Sequence, residues 1–531
     1  MHRHLSPPAS AAVVPHLLAR LAAEAPEAPL LVEGDLVLSR ADLWAATVEV
    51  AAALIADGFG HGDRALVWAQ NRHEWMVAAL AIQLAGGAVI PLNTRFKQAE
   101  ASYIAHTARA SHAFVAAGFL GADYPAMLAT ADLPHLRRII SFDAATASDR
   151  VESWATFRTR AGGCTPTMLQ ERYDRLSGSD LSDILFTSGT TGRPKGVLCT
   201  HTQTLRVFDT WAEVVGLRES DRYLIVPPFF HTFGFKAGWV ACLLRGATIY
   251  PLPVFDVEAA AAAIDRHAIS VMPGPPSLYQ MLLAHPARAG WKTSSLRLAV
   301  TGAAAVPVEL VHAMRNDLGF ETVLTAYGLT ETTGVVTMCR REDSAEVIAG
   351  TSGRAIPGVE VRIVDEAGSD LPAGSAGEVW VRGYNVMPGY FEDAPATEEA
   401  FAPGGWLKTG DIAIADEAGN LAITDRKKDM FIVGGFNAYP AEIERLLLLH
   451  PAIAQAAVIG IDDDRLGEVG AAFVVLREAA TPEALLAWSK EQMANYKVPR
   501  VIWVESDLPR NASGKVLKQE LRAMARERLR R

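Results

Sequence analysis

Residues 187–196 read TSGTTGRPKG and bring four hydroxyls, three glycines and two cations into one short stretch. Residues of these types suit a polyphosphate. Gly189, Gly192 and Gly196 open backbone conformations closed to most residues, so successive N–H groups can turn toward one anion. Thr187, Ser188, Thr190 and Thr191 add hydroxyls, and Arg193 and Lys195 add positive charge. The stretch is not a GxxxxGK[ST] loop, because Pro194 stands five positions after Gly189. An exposed flexible loop is the alternative for a Gly/Ser-rich segment of this kind.

Four further places carry groups able to act on a nucleotide or an acid. Tyr327, in AYGLTET at 326–332, follows a strand and can stack on a base, while Thr330 and Glu331 supply oxygens suited to a phosphate-bound Mg²⁺. A surface loop with an incidental Glu is the competing reading. Asp411, closing WLKTGD, can accept both hydroxyls of a ribose, although TGD alone is a common turn. His231 lies among aromatics in PPFFHTFGF, where a core histidine is the plain expectation. Gly302, Ala303 and Ala304 follow a strand and would let a flat ligand approach the backbone, or let a helix pack closely.

These residues need a scaffold that ends strands at one edge. Residues 182–187, SDILFT, read as a short buried strand entering the 187–196 stretch. Strand 64–69, a helix to Gly87 and strand 88–92 set a βαβ rhythm, preceded by a helix at 14–24, a strand pair turning at Glu33-Gly34-Asp35 and a capping box at Ser39 and Asp42. The rhythm continues with strands near 222–226, 246–250, 269–272, 296–300 and 321–326. The alanine run 259–263 opens a helix capped by Asp256. Segments 359–364 and 378–382 alternate as half-buried strands. From residue 425 the pattern becomes a small α+β unit: strand 430–433, helix 440–449, strands 455–460 and 471–476, helix 482–494. The polar stretch 424–429 separates the two textures. The expected fold is therefore α/β: a large N-terminal region of packed sheets and helices, 1–424, and a smaller α+β C-terminal region, 425–531.

Taken in order, these motifs resemble the adenylate-forming enzymes: acyl-CoA synthetases, peptide-synthetase adenylation domains and beetle luciferases. The resemblance covers nearly the whole chain. It implies that Thr187, Ser188, Gly189, Thr190, Thr191, Gly192 and Lys195 hold ATP phosphates. It further implies that Gly302, Ala303, Ala304, Tyr327 and Gly328 border adenine, that Thr330 meets the α-phosphate, and that Glu331 binds Mg²⁺. Asp411 and Arg426 would hold the ribose. His231 would border the acyl and coenzyme A channel. PRNASGK at 509–515 resembles the segment carrying the catalytic lysine, here Lys515. GGFNAYP at 434–440 resembles the segment lining the thiolation tunnel, with Gly434 and Gly435 facing coenzyme A. The family's hinge falls on Lys428, so 425–531 is expected to be a mobile domain that rotates between two half-reactions. The implied reaction joins a carboxylic acid to coenzyme A through an acyl-adenylate, with ATP, Mg²⁺ and coenzyme A as cofactors.

HTFGFKAGW, MPGPPSLY and GGFNAYPAEIE resemble one actinobacterial type within the family. That type activates the propionate arm of the methylindanedione fragment left from sterol rings. The resemblance implies a compact ring-bearing acid in lipid or sterol catabolism, with Phe229, Phe230, Phe233, Phe235 and Trp239 crowding around His231. Lys236 is then either a snorkelling lysine or a donor to a polar atom of the substrate. A luciferase-like or carrier-loading enzyme would share the first half-reaction, and a nucleotide hydrolase or a nucleotide-binding regulatory protein would use only part of the set.

Composition narrows the field. The chain has 531 residues and a net charge of −10, which excludes a general nucleic-acid binder. Its four cysteines, Cys164, Cys199, Cys242 and Cys339, form no CxxC pair, so neither a disulfide framework nor a zinc site is expected, and a cytoplasmic location fits. The N-terminus carries no secretory-type apolar core. The run 76–90 contains Gln83 and is short for a membrane span. The chain ends sixteen residues after Lys515, which favours free coenzyme A over a carrier in cis. A homodimer is left open.

Overall fold

The computed structural model describes residues 5, 11–143, 150–188, 194–302, 306–426, 429–433, 436–463, 465–493, 495–511 and 516–530. The described strands form four sheet systems. The first has seven strands, ordered Val151–Ser153, Arg138–Ser141, His112–Val115, Arg64–Trp68, Ala88–Pro91, Leu181–Ser188 and Pro194–Thr200. All neighbours pair in parallel except the last two, which form an antiparallel hairpin. Two of its inner strands, His112–Val115 and Ala88–Pro91, are buried along their whole length, as a parallel sheet covered on both faces requires. One cover is the helix His73–Leu84, buried at every position from Glu74 to Leu84. The amide nitrogen of Gln83 within it donates to the Ser182 carbonyl at 3.0 Å. The helix Arg40–Ala56 starts at the expected capping box, with Asp42 N–H on Ser39 Oγ at 3.1 Å and Ser39 N–H on Asp42 Oδ2 at 3.0 Å.

The second system joins two four-stranded sheets: Arg222–Ile225, Thr248–Pro251, Pro29–Glu33, Leu36–Ser39, and Leu298–Thr301, Thr322–Tyr327, Thr337–Met338, Arg354–Ala355. The strand expected at 269–272 shrinks to one residue, Val271, which bridges Tyr223 on one side and Leu298 on the other. Pro273 and Pro275 follow at once and offer no N–H to extend the ladder. Between these sheets the helix Val257–His267 begins at Asp256, whose Oδ1 accepts from Ala259 N–H at 2.8 Å.

The third sheet is antiparallel: Val359–Val364, Ala376–Gly383, Trp406–Ala415 and Phe401–Ala402, with Leu421–Arg426 added along Trp406–Ala415. The next strand, Phe431–Val433, belongs to the fourth sheet, so the change of sheet falls between Arg426 and Phe431. The fourth sheet pairs Phe436–Ala438, Phe431–Val433, Gly467–Leu476 and Ile453–Asp463, with Val501–Glu505 parallel to Gly467–Leu476. Its alternation feeds two separate cores. Val458, Ala472 and Val474 face Ile443, Leu447 and Leu485, while Ala457, Ile459, Ala471 and Phe473 face Leu521 and Ala525. The architecture is thus a large α/β region followed by a small α+β unit with cores of its own. Among the described residues no helix is long and apolar enough to cross a membrane.

Candidate active site

The hairpin of Leu181–Ser188 and Pro194–Thr200 sets Thr187 opposite Lys195 and Ser188 opposite Pro194. Residues 189–193, with Gly189, Thr190, Thr191 and Gly192, lie outside the described residues. Gly196 is required by packing, because a Cβ there would stand 2.9 Å from Ile184 Cγ2 and 3.0 Å from Phe186 Cζ.

Strand Thr322–Tyr327 delivers Tyr327 at its C-terminal end, and Gly328 and Leu329 lead into a tight turn at Thr330–Thr332. Gly328 lets this turn fold back on itself: a Cβ would lie 2.3 Å from the Gly334 carbonyl oxygen. The Tyr327 phenol donates to Asp411 Oδ2 at 2.6 Å. Two residues expected to bind adenine and ribose, 84 positions apart, therefore touch. Asp411 is buried, and its backbone pairs with Arg426 in the third sheet. Gly302 ends the neighbouring strand Leu298–Thr301, close to the Ala326 carbonyl, 3.1 Å from where its Cβ would be.

Glu331 is half-buried and accepts a hydrogen bond from the Tyr390 phenol at 3.1 Å. Tyr390 also lies under a cation: Lys195 Nζ stands 5.2 Å from its ring centroid. Sequence reasoning missed this tyrosine and the strap that carries it. Asn385 Nδ2 donates to the Val335 carbonyl at 2.8 Å, Met387 N–H to the Glu331 carbonyl at 2.8 Å, and Phe391 N–H to the Gly196 carbonyl at 2.7 Å. The segment 385–391 thus stitches the turn at Glu331 to the hairpin at Lys195. Its only sequence signal is PGYF at 388–391, an aromatic pair after a Pro-Gly punctuation.

The aromatic surroundings of His231 differ from expectation. Phe229, Phe235 and Trp239 are fully buried, and all three pack edge-on against Trp75 at 5.5, 5.5 and 6.1 Å. They form core. His231 itself is exposed, capping a short turn with its Nδ1 accepting from Phe233 N–H at 3.2 Å; Phe230 and Phe233 are half-buried beside it. Asn71, another residue the sequence did not single out, holds the approach. Its Nδ2 donates to the carbonyls of Ile225 and Pro227 at 3.2 and 3.0 Å, and its Oδ1 accepts from Phe229 N–H at 2.7 Å.

Lys236 neither snorkels nor meets a substrate. It lies on a π-helical turn, Phe235–Val240, is 1% exposed, and pairs at 2.9 Å with Asp183, which is wholly buried in the strand before the 187–196 stretch. Burial pulls its pKa down, but Asp183, aided by Cys199, overcompensates, so the ammonium stays charged. An ion pair is the only inexpensive way to keep either group so deep.

Of the other expected site residues, Ala303, Ala304, Lys428, Gly434, Gly435 and Lys515 lie outside the described residues. Oxygen donors fit Mg²⁺, and the Glu331 carboxylate with the Thr330 hydroxyl offers them at one turn. A second cluster, Glu33, His73 and Glu74, has ligand atoms close together. There Arg72 takes both Glu74 oxygens at 2.7 and 2.8 Å, and His73 bonds Glu33 at 2.8 Å, so the cluster is satisfied as an ionic network.

A nucleotide-shaped set of residues at strand ends, in a large α/β region followed by a small α+β unit, defines the AMP-binding enzymes. Two family models match in order along the chain: AMP-binding enzyme over residues 18–391, and AMP-binding enzyme C-terminal domain over residues 442–515. The chain belongs to this family. Among its relatives is the 3-[(3aS,4S,7aS)-7a-methyl-1,5-dioxo-octahydro-1H-inden-4-yl]propanoyl:CoA ligase of Mycobacterium tuberculosis, 48% identical over 96% of this chain and 98% of that one. The ligase of the same name from Rhodococcus jostii is 44% identical over 96% and 98%. Among solved structures, the anthranilate CoA ligase AuaEII in complex with anthranoyl-AMP superposes with a TM-score of 0.86 at 27% identity, covering 97% of both chains. ATP-bound MatB from Rhodopseudomonas palustris gives 0.84 at 29%, over 96% of this chain and 99% of that one.

Proposed function

We propose that the protein is an AMP-forming acid–CoA ligase acting on a compact bicyclic propanoate of steroid-ring origin. The observation that carries the substrate is the 48% identity, over 96% of the chain, with a ligase named for that acid. In the first half-reaction a carboxylate oxygen attacks the α-phosphorus of ATP; the new P–O bond forms as the bond to pyrophosphate breaks. In the second, the thiol sulfur of coenzyme A attacks the acyl carbon, loses its proton and expels AMP.

The chain's residues divide the work. Tyr327 presents its ring to adenine, and its phenol fixes the Asp411 carboxylate for the ribose hydroxyls, an orientation supported by their 2.6 Å hydrogen bond. Arg426, beside Asp411 in the sheet, joins the ribose contact. Lys195 and the 187–196 stretch neutralise phosphate charge, and Thr330 meets the α-phosphate. Glu331, with Thr330, would hold Mg²⁺, which when bound spreads the negative charge of the departing pyrophosphate. Lys515 completes adenylation when residues 425–531 close over the site. Rotation about Lys428 then brings Gly434 and Gly435 to the coenzyme A arm, so 1–424 and 425–531 act as two domains. His231, exposed at the acyl side, borders the channel. Catalysis is mostly positioning and charge neutralisation.

The class is tested by product analysis. Acid-dependent exchange of pyrophosphate into ATP, and release of AMP only when coenzyme A is added, are the expected results. ADP and phosphate as products would overturn the reading in favour of a hydrolase. AMP release independent of coenzyme A would favour a luciferase-like enzyme.

A further inference from the structure

We infer that Tyr390 is a positioning residue of the adenylation step, a spacer whose hydroxyl holds Glu331 and whose ring seats Lys195. The inference rests on the roles proposed above for those two residues. Glu331 and Lys195 carry opposite charges in one half-dry site. Left to themselves they would gain by pairing directly, and each would then be lost to its ligand. Tyr390 satisfies both without neutralising either. Its phenol donates to Glu331 Oε1 at 3.1 Å, which leaves other lone pairs of the carboxylate for a cation. Its ring lies 5.2 Å from Lys195 Nζ, a favourable cation–π distance that keeps the ammonium's donors available to an anion.

The spacer is itself anchored. Tyr390 bridges Val197, its N–H donates to Thr397 Oγ1 at 2.9 Å, and its neighbours exchange bonds with the hairpin: Leu198 N–H to the Gly389 carbonyl at 3.1 Å, Phe391 N–H to the Gly196 carbonyl at 2.7 Å. The same strap donates Met387 N–H to the Glu331 carbonyl at 2.8 Å. Glu331 is therefore held by its backbone and by its carboxylate from one seven-residue segment, 385–391, which also borders Lys195. Burial, then the charges of Glu331, Asp393 and Glu399, push the phenol's pKa well up, so at neutral pH it remains a donor. Tyr390 touches neither reacting atom; it acts through the two residues that do the neutralising.

The test uses full-length Tyr390→Phe, Tyr390→Leu and Glu331→Gln, read by pyrophosphate exchange against Mg²⁺ and ATP, by thioester formation from supplied acyl-adenylate, and by melting temperature. Tyr390→Phe keeps the ring and loses the hydrogen bond to a charged acceptor. It should raise the Mg²⁺ needed for half-maximal exchange about fivefold to tenfold, with the KM for ATP little changed and the second half-reaction intact. Tyr390→Leu should add a rise of about tenfold in the ATP KM, as the cation loses its seat. A purely packing role predicts a drop in melting temperature with no Mg²⁺ shift in Tyr390→Phe. An unchanged Mg²⁺ curve in Tyr390→Phe, beside a shifted one in Glu331→Gln, would overturn the inference. An unshifted curve in Glu331→Gln as well would show instead that Glu331 does not serve the metal, and the inference would fall with that reading.

Discussion

The polar and aromatic halves of the site are built on opposite plans. On the polar side, Tyr327, Glu331, Lys195 and Tyr390 are half-buried at strand ends and in turns, positioned by contacts such as Tyr327 to Asp411 and Tyr390 to Glu331 and Lys195. On the aromatic side, Phe229, Phe235 and Trp239 are sealed around Trp75, and the only charge among them, Lys236, is locked on Asp183. The first plan leaves valence for a ligand, and the second spends it internally. A charged side chain next to aromatics in sequence is therefore no guide to a pocket, whereas a charged side chain in a turn after a strand is a good one.

The largest effect is expected at the buried ion pair. Lys236→Met should leave Asp183 unpaired and destabilise the protein by ~3–5 kcal/mol, measured by denaturant unfolding; adding Asp183→Leu should recover much of that loss. If the single variant is as stable as wild type, the pair is not sealed as described. At the polar end, Lys515→Ala should cut pyrophosphate exchange by about 10²–10³ yet still convert supplied acyl-adenylate and coenzyme A to thioester. Lys428→Pro should do the reverse, since proline fixes φ where rotation needs it free. Equal loss of both half-reactions in a folded Lys428→Pro protein would reject the hinge. Tyr327→Phe removes one charge-assisted bond to Asp411 and should raise the ATP KM by roughly 5- to 20-fold, with the melting temperature close to wild type.

The smallest effect is a titration. His201, wholly buried at the start of the helix after Pro194–Thr200, has its pKa lowered to about 3, first by burial, then by His16 and Lys236. His112 is likewise pressed to about 4 by burial. A base with a depressed folded pKa stays neutral in the native state while the unfolded chain takes up a proton. Stability is therefore full above about pH 6.5 and falls as pH drops toward 4. Each such histidine adds a slope of ~1.4 kcal/mol per pH unit within that window. Replacing His112 by Gln should flatten the curve of melting temperature between pH 6 and 4.5; an unaltered slope would mean that His112 is already charged in the native protein.

Much of the polar half was legible in the sequence because its residues come in short contiguous motifs. Tyr327 ends a strand that leads straight into the turn of Thr330 and Glu331, and Thr187 and Lys195 share one hairpin. Asp411 was singled out only by its place after the other motifs, since TGD alone is a common turn, and its contact with Tyr327 could only be seen in the fold. The strap 385–391 escaped notice because its contribution is largely backbone pairing to residues far away, which leaves no pattern of charge or period. The setting of Lys236 could not be read locally, because its partner Asp183 sits on a strand far back in the chain and local hydropathy says nothing about it. The βαβ rhythm implied sheets covered by helices but not the strand orders, and the reduction of 269–272 to a single bridge followed from two prolines whose missing N–H groups matter only once the neighbouring strands are known.

The proposed substrate is tested most directly by comparing two acids on one enzyme preparation. The rate of coenzyme A-dependent AMP release should be measured on the bicyclic methylindanedione propanoate and on palmitate. The kcat/KM for the bicyclic acid should exceed that for palmitate by at least about tenfold, the scale on which a shaped pocket discriminates. Equal or faster turnover of palmitate would contradict it.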